Sequence, residues 1–374
     1  MQNTPEVKLL LGILKQKEKL SLEEIRWKKF IQLSNYHSLI PLVFYHLEPY
    51  GLPAQANTSL KYGYQYNLDR NLKLWDEFLA INTAFQQEGI PFLPIKGMDI
   101  LVRSFPQLGL RMLGDIDILV KEENLHRAEA ILLKLGYHKY LEGLKEEFWR
   151  QKHCHIGFCK SMFLVELHWE LDFKRRSRVI LPFIWKRAKE TGIESQKINL
   201  LSGEDALFTI VLHLRRFGNI LSLKQAGDVA RIINAQPVNF DWDYILKEAL
   251  ARKINSALYF LLLQAFLFTD AKIPPDILAN IHVSPVKKKL IKTFLSRNSF
   301  SLLSLKNLTW IYLGAQFLLY DNFSEPLNFI INPPLENFSK FFNLPPYSKK
   351  TQIYYYLRLL TIPYLQLKAV FKKP

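Results

Sequence analysis

The sequence predicts an α+β chain, with a small mixed α/β centre set between helical arms. Three observations carry that expectation. Hydrophobic positions recur at helical spacing over residues 5–47 and 57–90, and again from 202 onward. Short strand-like runs fall in the middle: "IPFLPI" is extended, while "LGDIDILV" and "FLVELHWEL" alternate apolar with acidic positions. Finally, 49% hydrophobic and 13% aromatic residues over 374 positions are enough for packed cores and too many for a disordered chain.

In order, "NTSLKYGYQYNLDRNLKLWDEFLAINTAFQQEGI" reads as a long helix closed by Glu88-Gly89. "IPFLPI" is a short extended run. "KGMDILVRSFP" is one helical stretch closed by Pro106, and "LGDIDILV" is a strand. "KEENLHRAEAILLKLGY" is an amphipathic helix with acids in its first turn and Gly136 at its end. "HCHIGFCKSMFLVELHWEL" reads as a hairpin turning on Lys160-Ser161, which sets His155 opposite Glu166 and His153 opposite His168. "EDALFTIVLHLRRF", "LSLKQAGDVARIINA" and "FDWDYILKEALARKINSALYFLLLQAFLF" are helical, and prolines thicken beyond about residue 270. The domain plan expected is 1–89 helical, 90–200 core, 201–270 helical, and 271–374 helical, basic and aromatic.

The formal charge of +16 points to anionic partners: nucleotides, nucleic acid or an anionic membrane surface. Cys154 and Cys159 cannot make a disulfide framework, and the first twenty residues lack a secretion-signal pattern, so a cytoplasmic location is expected. The longest charge-free run, Ile254 to Thr269, is 16 residues, short of the roughly 18 a spanning helix needs.

Chemistry gathers on the strands. Residues i and i+2 of a strand face the same way, so Asp115 and Asp117 project together while Ile116, Ile118 and Val120 pack on the other side. Carboxylates that close repel unless a cation lies between them or a proton is shared. Mg²⁺ favours sites of one or two carboxylates completed by phosphates and water. Glu166, alternating with Val165 and Leu167, adds a third acid from a second strand, and three carboxylates can hold two metal ions. Zinc is disfavoured, because alternation puts His153 and His155 on one face and Cys154 on the other, and no C-x-x-C spacing exists.

The order "IKGMDIL", "LGDIDILV", "VELHW" resembles a polymerase-beta-type nucleotidyltransferase. In detail it resembles the uncharacterised bacterial nucleotidyltransferase family of that superfamily, through Lys96-Gly97, Arg111, Asp115, Asp117, Leu135-Gly136-Tyr137 and Glu166-Leu167-His168-Trp169. The likeness spans roughly residues 30 to 260. It implies a small mixed-sheet nucleotidyltransferase core and transfer of a nucleoside monophosphate from a nucleoside triphosphate to a small molecule, peptide or RNA. By the resemblance, Asp115, Asp117 and Glu166 bind Mg²⁺ or Mn²⁺, and Glu166 or its neighbour helps deprotonate the acceptor hydroxyl. Lys96, Gly97 and Arg111 meet phosphate, and His168 orients Glu166, binds the acceptor, or is a satisfied core histidine. One departure stands out: the wider superfamily has serine or glycine after the turn glycine, and this chain has Met98. Two further readings keep the fold: a catalytically idle nucleotide- or RNA-binding module, motivated by Met98, and a toxin-like enzyme modifying transfer RNA. The basic, aromatic run Phe173 to Lys189, which includes Lys174, Arg175, Arg176 and Trp185, motivates the second.

Overall fold

The computed structural model describes residues 4–104, 106–172, 181–216, 221–235, 240–300 and 314–360. Helices α1 (Pro5–Leu14), α2 (Trp27–Tyr36), α3 (Ile40–Leu47) and the long α4 (Ala54–Gln87) lead into strand β1 (Phe92–Pro94) and helix α5 (Lys96–Arg103). Then come β2 (Ile116–Val120), α6 (Leu125–Lys134), β3 (His138–Tyr140), α7 (Glu146–Lys152), β4 (His155–Lys160) and β5 (Phe163–His168). Helix α8 (Leu181–Arg187) and strands β6 (Lys189–Ile193) and β7 (Gln196–Leu200) precede α9 (Gly203–Arg216), α10 (Leu223–Ala235), α11 (Trp242–Ala251) and α12 (Asn255–Phe268). Past residue 270 the described elements are all helical, beginning with Pro275–Asn280 and ending with Lys349–Tyr356. The expected α+β class, a small mixed sheet between helical arms, is what the chain forms.

The main sheet has the order β1-β2-β5-β4-β3, with β2 and β5 parallel and the other neighbours antiparallel. Its two faces differ. Ile116, Ile118 and Val120 of β2, Val165 and Leu167 of β5, and Ile156 and Phe158 of β4 share one apolar cluster. Trp75, Phe78, Ile81 and Phe85 of α4 and Leu125, Ile131 and Leu132 of α6 complete it. Burying side chains of that size is worth about 1.5–3 kcal/mol each. The opposite face carries Asp117, Glu166, His168 and His155, and looks toward a second cluster that includes Leu119, Leu207 and Val211.

Four sequence expectations change. The hairpin turns on Ser161-Met162, with Ser161 left-handed at φ 53°, so His155 pairs with His168 and Gly157 with Glu166. The register differs from the expected one by two residues, and an even slip keeps every side chain on its face. Strand β2 begins at Ile116, leaving Asp115 just ahead of it. Cys154 also precedes its strand, in a bend whose carbonyl accepts the Trp169 N–H at 3.1 Å, so alternation does not govern it. Strand β3 and the β6–β7 hairpin are additions to the expected set.

The run Ile254 to Thr269 forms a core helix, buried on nearly all sides, as expected of an apolar run too short to span a bilayer. No described helix is long and apolar enough to cross a membrane. Lys174, Arg175 and Arg176 lie outside the described residues, as does the tail beyond residue 360.

Candidate active site

The site is built at the junction of β1, α5, β2 and β5. In the parallel register Asp117 is level with Glu166, so two acidic side chains stand side by side on the polar face. Two residues along β5, His168 joins them; its Nε2 lies 3.0 Å from Asp117 Oδ1 and 3.2 Å from Glu166 Oε2. Lys96 enters from the first turn of α5. Its Nζ donates to Asp117 Oδ1 at 2.5 Å and to Glu166 Oε2 at 3.2 Å. His155 faces Glu166 from β4, with Nε2 3.6 Å from Oε1. Asp117 and His168 are buried, while Lys96 (15%) and Glu166 (21%) keep some exposure.

The β1-to-α5 turn has a backbone reason for its residues. The Ile95 N–H donates to the Asp117 carbonyl at 3.1 Å, which pins the start of α5 to β2. Lys96 then takes φ 51°, a left-handed conformation that a side-chain-bearing residue rarely adopts. Gly97 is required by close approach: a Cβ there would stand 2.8 Å from Arg111 Nη1 and 2.8 Å from Leu113 Cδ2. Met98 is fully buried in the apolar cluster on the other face of the sheet.

The segment leading to the aspartates is clamped from α4. Asn67 and Asn71, one helical turn apart, donate to the carbonyls of Leu108, Gly109 and Arg111 at 2.6–3.2 Å. Arg70 donates to the carbonyls of Leu113 and Gly114. Sequence reasoning passed over this trio, although amides at i and i+4 on one helix face were a readable signal.

Arg111 is brought to the turn but is not free. Its Nε and Nη2 donate to the two carboxylate oxygens of Asp228 on α10, each at 2.9 Å. Asp228 is buried within this pair. Lys224, one turn earlier on α10, was also missed. It is half-buried, and its ammonium feels Arg111 and the carboxylates of Asp228, Asp115 and Asp117.

The charges fit together. Burial, then the charges of Asp117 and Glu166, push the Asp115 carboxyl up to about 7. Burial opposes ionising Glu166, but the Lys96 ammonium and the hydrogen bond from His168 overcome it and hold the carboxyl well below its usual range. Burial and Lys96 likewise oppose charging His168. Hydrogen bonds to Asp117, Cys154 and Glu166 prevail and raise the imidazole to about 10. The Lys96 ammonium and the His168 ring thus sit between the Asp117 and Glu166 carboxylates.

Ligand atoms of Asp117, Glu166 and His168 all lie within 4.8 Å of one another, as do those of Cys154, His155 and His168. The first set, with its hard oxygens, suits a divalent cation of the Mg²⁺ type, and Asp115 stands next to it in the chain. Chemically the arrangement can bind cations and phosphates and can accept a proton. Of the sequence-derived residues, Asp117, Glu166, His168 and Lys96 meet directly. Gly97 and Arg111 form the adjoining wall, and Asp115 lies close enough to interact by charge.

Comparisons with known proteins bear on this arrangement. The solution structure of the antibiotic-resistance factor ANT(2'')-Ia is similar at 13% identity, with 48% of this chain and 91% of that chain covered and a TM-score of 0.36. No curated protein sequence matches. A family model described as "Uncharacterised nucleotidyltransferase" matches residues 23–270, from α2's approach through the end of α12. With that match covering most of the chain, the protein belongs to the uncharacterised nucleotidyltransferase family.

Proposed function

We propose that the protein transfers a nucleotidyl group from a nucleoside triphosphate to an acceptor hydroxyl or phosphate in the cytoplasm, releasing pyrophosphate. The observation that carries this reading is the level register of Asp117 and Glu166, with cationic groups already at bonding distance from both. A place that holds Lys96 and His168 against two carboxylates selects positive charge, which fits a divalent ion. Asp115, Asp117 and Glu166 would hold Mg²⁺ or Mn²⁺, with His168 adjacent. When bound, such an ion neutralises phosphate charge and orients the phosphates for in-line displacement.

The chain's own groups would do the rest. The α5 turn at Gly97 offers backbone N–H groups to a phosphate. Lys96, Arg111 and Lys224 supply charge where the pyrophosphate leaves. Arg111 would do so from a fixed position, because Asp228 grips two of its nitrogens. Glu166, partly exposed, would take the proton of the acceptor hydroxyl, and His155 and His168 would steer its carboxylate. Acceptor attack on the α-phosphorus then forms the new P–O bond as the bond to the bridging oxygen breaks.

The test is incubation with α-labelled ATP, GTP, CTP and UTP plus Mg²⁺, with a panel of small-molecule, peptide and RNA acceptors. Pyrophosphate and a labelled product are expected. Asp117→Asn should lower the rate at least about a hundredfold with its circular dichroism unchanged. Full activity in the Asp115→Asn/Asp117→Asn double variant would remove the proposal. The idle binding module is the second reading, favoured by the Lys96 ammonium lying between the carboxylates. Nucleotide binding without turnover across the whole panel would select it.

A further inference from the structure

Lys96 stands where the reading above needs a metal ion. Its ammonium touches the same two carboxylate oxygens, at 2.5 and 3.2 Å, and lies 3.3 Å from His168 Nε2. A divalent ion bound to Asp117 and Glu166 cannot share that space, since oxygen ligands approach Mg²⁺ to about 2.1 Å. The ion's two positive charges would also repel the lysine ammonium. Lysine suits exchange: a flexible four-carbon stem carries its charge, and the side chain keeps 15% exposure. The backbone beneath it is fixed, by the Ile95 N–H to the Asp117 carbonyl and by the buried Met98 that follows.

We propose that Lys96 is an exchangeable counter-ion. Without nucleotide its ammonium fills the acidic pocket and holds divalent ions out. A bound triphosphate draws the ammonium onto its phosphates and opens the carboxylates to the metal. Metal and nucleotide therefore bind with positive coupling, each raising the other's affinity by the same factor. This rests on the function proposed above, and adds to it that the metal site is closed by the protein's own cation until substrate arrives. A fixed structural ion pair makes the opposite forecast, because its loss would only weaken metal binding.

The test is Mn²⁺ binding to the full chain, followed by loss of the free-ion electron paramagnetic resonance signal. It is done alone and with α,β-methylene analogues of ATP, GTP, CTP and UTP, corrected for Mn²⁺ held by free analogue. In the natural protein, an analogue should tighten Mn²⁺ binding at least about tenfold. Lys96→Met should bind Mn²⁺ at least about tenfold more tightly than the natural protein without any analogue, and should lose the coupling. Thermal unfolding gives a second reading. Lys96→Met should melt lower without metal, because two carboxylates lose their ammonium, and recover at Mn²⁺ concentrations that leave the natural protein unmoved. Lys96→Gln repeats the comparison should the methionine variant fold poorly, and the coupling in the natural protein needs no variant. Equal Mn²⁺ affinity with and without analogue, and none gained in either variant, would overturn the counter-ion role while leaving the proposed transfer intact. Absence of Mn²⁺ binding in every protein and condition would overturn both together.

Discussion

Asp228→Ala removes the carboxylate that grips Arg111. Both side chains are largely buried, 10% exposed for Arg111 and 4% for Asp228, and two hydrogen bonds of 2.9 Å join them. Without Asp228, a guanidinium stays buried with Lys224's ammonium nearby. Removing one partner of a buried pair costs about 3–5 kcal/mol. An exposed ion pair would cost only about 0–1 kcal/mol. Asp115 and Asp117 also attract Arg111 and offset part of the loss. The lower end, about 3 kcal/mol, is therefore expected. Urea unfolding at pH 7, followed by circular dichroism, reads the change. Adding Arg111→Met to Asp228→Ala removes the stranded charge and should return most of the stability. A loss below about 1 kcal/mol, or a double variant as unstable as the sum of the singles, would refute the buried-pair argument.

Two further predictions follow from the same geometry. Lys224→Met should raise KM for the nucleoside triphosphate about tenfold with kcat little changed, the pattern of a phosphate contact kept in ground and transition states; an unchanged KM would remove Lys224 from the site. His37 is buried, and burial pulls its imidazole down to about 4. Above its ordinary value neither folded nor unfolded chain holds that proton; between about 6.5 and 4 only the unfolded chain does, so stability falls with pH, by up to about 3 kcal/mol. His37→Phe should lose stability less steeply over that range in urea titrations, and parallel profiles would contradict the assignment.

Much of the site could be read in the sequence because period-two alternation is local. Asp117 on β2 and Glu166 on β5 announced themselves by apolar neighbours that could face only one way. Where the turn chemistry was weak, at Ser161-Met162, the hairpin register slipped, yet the side-chain faces survived because the slip was even. Cys154 and Asp115 were misplaced for a common reason: each sits one residue outside its strand, where alternation no longer applies. The Arg111–Asp228 pair joins residues 117 positions apart, and no pattern within either segment encodes it. The same holds for Lys224, whose meaning comes from α10 lying against the α5 turn. The short β3 carried too few residues to show a period.

The central claim is that Asp117 and Glu166 bind a divalent ion next to a nucleotide's phosphates. Crystals grown with Mn²⁺ and an α,β-methylene nucleotide test it most directly, through the anomalous signal of manganese. The account predicts a peak at about 2.1 Å from a carboxylate oxygen of each residue, with the Lys96 ammonium moved onto phosphate. Bound nucleotide without such a peak, and with Lys96 still between the two carboxylates, would contradict it.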